Sequence, residues 1–108
     1  MGSAYLGEFE ELTLLAVKAI GEPTYGVPVQ QYVERAAGRA VSMGAVYATL
    51  TRLEAKGLLR SVQGEPTPTR GGKRKRLYGV TPEGMRALRD MKRVRDRLWR
   101  VIDVAARS

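Results

Sequence analysis

Apolar residues recur at helical intervals from the start of the chain. Leu6, Phe9, Leu12, Leu15, Ala16, Ala19 and Ile20 follow one another at three or one positions, with 12/16, 15/19 and 16/20 four apart, which predicts a helix over roughly 6–20. Gly21 and Pro23 stop it, and the acids of its first turns suit the positive end of a helix dipole. Tyr25-Gly26-Val27-Pro28 opens a second helix, whose apolar positions Val29, Tyr32, Val33 and Ala36 run up to Gly38. Ser42 then reads as the N-cap of a third helix with an inward stripe of Val46, Leu50 and Leu53. Met43 and Tyr47 lie beside that stripe, and Gly57 ends the helix. Two helices of about a dozen residues joined by a turn of about four match the arithmetic of a helix-turn-helix.

The pattern then changes. Leu58–Val62 and Arg76–Val80 are short and partly alternating, which predicts two strands. Between them, Gln63–Lys75 holds two prolines and three glycines and reads as a long loop. Thr81-Pro82-Glu83 supplies a cap, a first-turn proline and a first-turn acid for a last helix that continues to about Arg107. Ala87, Met91, Val94, Leu98, Val101 and Ala105 follow at alternating spacings of four and three, with Met85, Leu88, Trp99 and Ile102 widening the seam. No second heptad segment is present to cover it, so a second copy of the chain is the expected partner, and Met91, Val94, Leu98, Trp99, Val101 and Ile102 are the dimerisation candidates. The expected fold is mainly α with a small β-hairpin: a winged helix-turn-helix over 1–81 and a long C-terminal dimerisation helix over 82–108, forming one compact unit.

Charge sharpens this picture. The 108 residues include 19 Lys and Arg against 11 Asp and Glu, for a net charge of +8. Residues 1–34 carry one basic and five acidic side chains, and the remainder carries 18 basic and six acidic ones. Arg70, Lys73, Arg74, Lys75 and Arg76 fall within seven residues of the loop and its edge. Such concentration points to a polyanion, with nucleic acid as the first choice and an anionic membrane surface as the second. The chain has no 18-residue apolar run and does not open on a basic segment followed by an apolar one, so a soluble, cytoplasmic protein without a membrane span is expected.

Catalytic chemistry finds little support. With no Cys and no His, the chain has no disulfide, no thiolate nucleophile, no Cys-based zinc site and no imidazole base. Gly71-Gly72-Lys73 lacks the leading glycine and trailing Ser or Thr of a phosphate-binding loop, and neither Ser42 nor Ser61 has a histidine to activate it. Neither enzymatic activity nor a cofactor or metal is expected.

Binding chemistry is better supplied. Turning Val46, Leu50 and Leu53 inward leaves Ala45, Ala48, Thr49, Arg52 and Lys56 outward, and the small residues Gly44, Ala45 and Ala48 would let the backbone approach base edges. Arg52 suits a guanine or phosphate contact, and Thr49 suits a thymine methyl. Tyr47 is ambiguous, since its ring can pack inward while its hydroxyl reaches a phosphate. Arg70, Lys73, Arg74 and Lys75 can track the DNA backbone or enter a minor groove. On the last helix, Trp99 is either dimer packing or one wall of a flat apolar slot for a small aromatic effector. Arg89, Arg93, Arg95, Arg97 and Arg100 are expected on its solvated faces.

The segments LGEFEELTLLAVKAIGEPTYGVPVQQYVE (6–34), SMGAVYATLTRLEAKGLL (42–59) and GGKRKRLYGVTPEG (71–84) together resemble the PadR family of winged-helix transcriptional regulators. The third-helix pattern of Ser42, Gly44, Tyr47, Leu50, Arg52, Leu53, Glu54 and Gly57 is the specific part. The resemblance implies a homodimer that binds a pseudo-palindromic operator in double-stranded DNA and usually represses. It also implies that Ser42, Gly44, Tyr47 and Thr49 lie near DNA and that Lys73, Arg74 and Lys75 form a basic wing. Ala48 departs from the family pattern, in which a proline commonly follows the tyrosine. With one C-terminal helix the chain resembles the short branch, some members of which hold planar cationic or aromatic compounds between the dimer halves. The competing reading is a winged-helix protein-interaction module that does not read DNA, motivated by the absence of Asn and by the weakly polar recognition face.

Overall fold

The computed structural model describes residues 6–66 and 74–107. Its elements follow in the order α1 (Glu8–Ile20), α2 (Gly26–Ala37), α3 (Met43–Ala55), β1 (Leu59–Pro66), β2 (Arg74–Val80) and α4 (Pro82–Arg107). The first three helices pack around one core built from Leu14 and Val17 of α1, Val29 and Val33 of α2, and Val46, Leu50 and Leu53 of α3. Leu58, Leu59, Tyr78 and Val80 of the hairpin close its side, and Ala87 and Leu88 of α4 close its end.

Local chemistry accounts for most boundaries. Ser42 caps α3 by accepting the Ala45 amide at 3.0 Å, and Thr81 caps α4 by accepting the Gly84 amide at 3.0 Å. Gly38 ends α2 in the left-handed region at φ 70°, where its amide reaches the Glu34 carbonyl at 2.9 Å. Residues 38–42 then cross to α3. The Glu34 carboxylate accepts the Val41 amide and the Gln30 side chain donates to the Val41 carbonyl, each at 2.8 Å, so α2 itself holds the turn.

Three expectations are corrected by the packing. In α1, Leu14 and Val17 are fully buried, whereas Leu15 and Ala19 of the expected stripe are exposed. Apolar residues nearly encircle this helix, so spacing alone could not select its inward side. Its outer strip (Leu12, Leu15 and Ala19) instead lines a groove of about 310 Å³ with Tyr32, Val33 and Ala36. The strands outrun their apolar stretches: β1 and β2 pair antiparallel from Leu59↔Val80 to Gln63↔Arg76, then continue past an irregularity to Pro66↔Arg74. Main-chain hydrogen bonds propagate the ladder where side-chain alternation has stopped. Arg74 and Lys75 therefore lie on a strand, not in a loop.

The third correction concerns the heptad seam. Gly84, Ala87 and Leu88 are buried against the chain's own core, and Met91 packs on its edge. A Cβ on Gly84 would stand 2.3 Å from the Leu58 carbonyl, a measure of how tightly the helix root meets the residue that leads into β1. The Arg95 guanidinium, exposed as expected, also reaches Glu11 of α1 at 2.5 Å. Only the distal part of α4 stands uncovered, with Val94, Leu98, Trp99, Val101, Ile102 and Val104 exposed. A helix of 26 residues spans about 39 Å, which helps stretch the molecule to 63 × 34 × 21 Å. The radius of gyration, 16.2 Å, exceeds the value of about 13 Å for a compact domain of this length. No described helix is long and apolar enough to cross a membrane.

Candidate nucleic-acid interface

The exposed side of α3 is uncharged at its centre. Gly44, Ala45, Tyr47, Ala48, Thr51 and Ala55 are all exposed, with the Ser42 cap at the N-terminal end. Small side chains there leave the helix backbone open to close approach by a groove edge. Thr51 is exposed although the stripe of Val46, Leu50 and Leu53 does not by itself place it on the outward face. The signal lay in Thr49, which continues the inward stripe.

Thr49 itself overturns an expectation. It is 2% exposed and lies in the core, so it cannot reach a thymine methyl from this position. A hydroxyl on the border of an apolar stripe is compatible with burial when a partner is near, and the Arg52 Nη2 donates to Thr49 Oγ1 at 3.4 Å.

Arg52 is exposed, as expected, and is also paired. Its Nε donates to Glu10 Oε2 at 3.0 Å, across from α1. Lys56 Nζ donates to both oxygens of the same carboxylate at 2.9 and 3.0 Å, and the Gly7 amide donates to Oε1 at 3.0 Å. The Glu10 side chain is 9% exposed. Burial by itself would raise its pKa, but the Lys56 hydrogen bond, the Gly7 amide and Arg52 outweigh it and hold the carboxyl down to about 2 from its ordinary 4.5. Arg52, expected to face DNA, and Lys56, expected to point outward, thus share one buried carboxylate. The Arg52 side chain remains 53% exposed but is oriented by that pairing.

Tyr47 resolves its ambiguity through Gly26. A Cβ on Gly26 would lie 2.7 Å from the Tyr47 ring, so the ring rests on the first residue of α2 in space that only a glycine leaves. The side of Tyr47 away from Gly26 stays exposed. One residue earlier, the Tyr25 ring receives the Lys75 ammonium at 5.0 Å from its centroid, within cation–π range. The start of α2 is therefore the place where α3 meets it through Tyr47 and the hairpin meets it through Lys75. Thr24 and Tyr78 add a backbone bridge at 2.7 and 3.1 Å that fastens β2 to the same segment.

Arg74, Lys75 and Arg76 are exposed on β2, and among the described residues no carboxylate forms an ion pair with them. Arg70 and Lys73 lie outside the described residues. On α4, Leu98 is 59% and Trp99 61% exposed, with Val94, Val101 and Ile102 similarly open.

A capped helix with an open small-residue face, joined through one helix start to a basic two-stranded hairpin, defines a winged helix-turn-helix protein. Residues 14–90 match the Transcriptional regulator PadR-like family, and the chain belongs to that family. Solved structures agree in fold. A PadR family transcriptional regulator from Eggerthella lenta is 26% identical, with 92% of this chain and 86% of that chain covered at a TM-score of 0.66. A PadR-like transcription factor from Bacteroides fragilis is 23% identical, with coverages of 90% and 88% and a TM-score of 0.73. A PadR family transcription regulator from Clostridium difficile is 22% identical, covering 93% and 99% at 0.67. No curated protein matches the chain.

Proposed function

We propose that this chain is a homodimeric, sequence-specific regulator that represses by binding a pseudo-palindromic operator in double-stranded DNA. The observation that carries the reading is the convergence of Tyr47 and Lys75 on residues 25–26, which joins the open face of α3 to the basic edge of β2. In this reading α3 enters the major groove by its N-terminal half, bringing Ser42, Gly44, Ala45, Tyr47, Ala48 and Thr51 to the base edges. Arg74 and Lys75, with Arg70 and Lys73, follow the phosphates. Residues 1–81 do the reading, and the C-terminal part from 82 joins two copies through Met91, Val94, Leu98, Trp99, Val101 and Ile102 of α4. Two-fold pairing of the chain is what makes the operator a pseudo-palindrome. A flat aromatic effector would sit beside Trp99 between the two halves, a role supported by the exposed ring and its apolar neighbours.

The test is selection of bound fragments from genomic DNA by the purified chain, followed by titration at rising salt. Neutralising about 6–10 phosphates makes affinity fall by about 10³–10⁵ between about 50 and 200 mM salt. A chain that retains no fragment, or binds without salt dependence, sinks the reading. A monomer by analytical ultracentrifugation at micromolar concentration removes the dimer from it, and an unquenched Trp99 across a panel of aromatic cations removes the effector.

A further inference from the structure

Glu10 lies outside the surface just described, yet it is the most heavily bonded side chain near α3. Its carboxylate takes Arg52 at 3.0 Å, Lys56 at 2.9 Å and the Gly7 amide at 3.0 Å, while only 9% of the side chain is exposed. Arg52 and Lys56 stand at the C-terminal end of α3, the half that follows the proposed groove-entering end. An anion held inside α1 and gripped by two cations from one flank of α3 does two things. It fixes the roll of α3 about its own axis, because the two bonds lie four residues apart along one side of the helix. It also answers two positive charges at the exposed end of α3 with one buried carboxylate, which lowers the net charge that flank presents to a polyanion.

We infer that Glu10 is a positioning and specificity-determining residue for DNA reading, holding the neutral face of α3 outward and keeping Arg52 and Lys56 from acting as non-specific phosphate contacts. The inference rests on the DNA-binding reading above. Specificity is a ratio of affinities for the operator and for unrelated duplex, so a device that lowers the second raises the ratio without any base contact of its own. The wing cations supply sequence-independent attraction, and the clamp keeps α3 from adding to it.

The experiment measures binding to a selected fragment and to an unrelated duplex of equal length, each over a range of salt, for the wild-type chain, Glu10→Gln and Lys56→Gln. Glu10→Gln keeps the shape but removes the charge. Its expected result is tighter binding to the unrelated duplex, a log–log salt slope steeper by about 0.9 for each cation released, and an operator preference reduced by about tenfold. Lys56→Gln is expected to weaken the operator preference while leaving the salt slope on unrelated duplex at its wild-type value, since its charge is already answered by Glu10. A slope shallower by about 0.9 in Lys56→Gln means that Lys56 contacts phosphate, and overturns the inference. So does a Glu10→Gln chain with wild-type slope and wild-type preference. Circular dichroism establishes whether Glu10→Gln folds, and if it does not, the Lys56→Gln slope decides the matter alone. A wild-type chain with no salt-dependent duplex binding overturns the DNA reading and the inference together. Wild-type binding with unaltered variants overturns the inference only.

Discussion

Two basic surfaces of this molecule look alike in the sequence and differ in space. On β2, Arg74, Lys75 and Arg76 stand exposed, with no ion pair to them among the described residues, and Lys75 rests on the face of Tyr25, whose ring leaves the charge intact. On the flank of α3, Arg52 and Lys56 meet the carboxylate of Glu10 at 3.0 and 2.9 Å. The first surface projects its charge outward, and the second spends it on joining α1 to α3. A count of cations therefore overstates the charge that a polyanion would meet on the helix, while leaving that on the wing unaltered. What distinguishes the two is the presence of one buried anion, not the cations themselves.

Experiments can break this contrast from either side. The largest effect is expected from Arg74→Gln, Lys75→Gln and Arg76→Gln combined, which should flatten the salt slope of duplex binding by about 0.9 for each phosphate left unneutralised, read by fluorescence anisotropy. An unchanged slope would place the wing's charge outside the binding surface. Next comes the acid stability carried by Glu10. Its folded pKa of about 2 lies below its ordinary 4.5, so the unfolded chain takes up the proton first. That contribution is complete above the ordinary value and disappears as pH falls towards the folded one. Thermal denaturation over that acid range should show it, and Glu10→Gln should flatten the curve there. Gly26→Ala should cost about 1–3 kcal/mol in urea denaturation, since its methyl would displace the Tyr47 ring from the junction of α2 and α3. Tyr25→Ala, which removes the support under Lys75, should cost only about 0.5–1 kcal/mol, and Tyr25→Phe should retain that support.

Much of the fold was legible from local pattern. The spans of the helices, the caps at Ser42 and Thr81, the stop at Gly38 and the buried stripe of Val46, Leu50 and Leu53 all follow from neighbours within a few residues. The candidate surface was legible only in part. Spacing selected the outward helix face to within about one residue, which was enough for Gly44, Ala45 and Ala48 but not for Thr49, buried, or Thr51, exposed. Arg52 read as a DNA contact because its partner is 42 residues away in the chain, on a helix whose acids looked like ordinary first-turn charges. The heptads of α4 read as one seam because periodicity does not record that Ala87 and Leu88 already have a core to pack on.

By itself the sequence determined which segments become helix, where the two strands start to pair, close to where each helix begins and ends, and that positive charge collects in the second part of the chain, but not how far the hairpin extends. These are consequences of short-range rules, in which backbone preference, capping and apolar period act between residues a turn or two apart. Only the tertiary structure decided which way α3 faces, which cations remain available to a partner and how much of α4 is left uncovered. Those properties depend on distances between segments remote in the chain. A hydrogen bond of 3.0 Å from Arg52 to Glu10 redirects a charge whose local surroundings on α3 carry no trace of it.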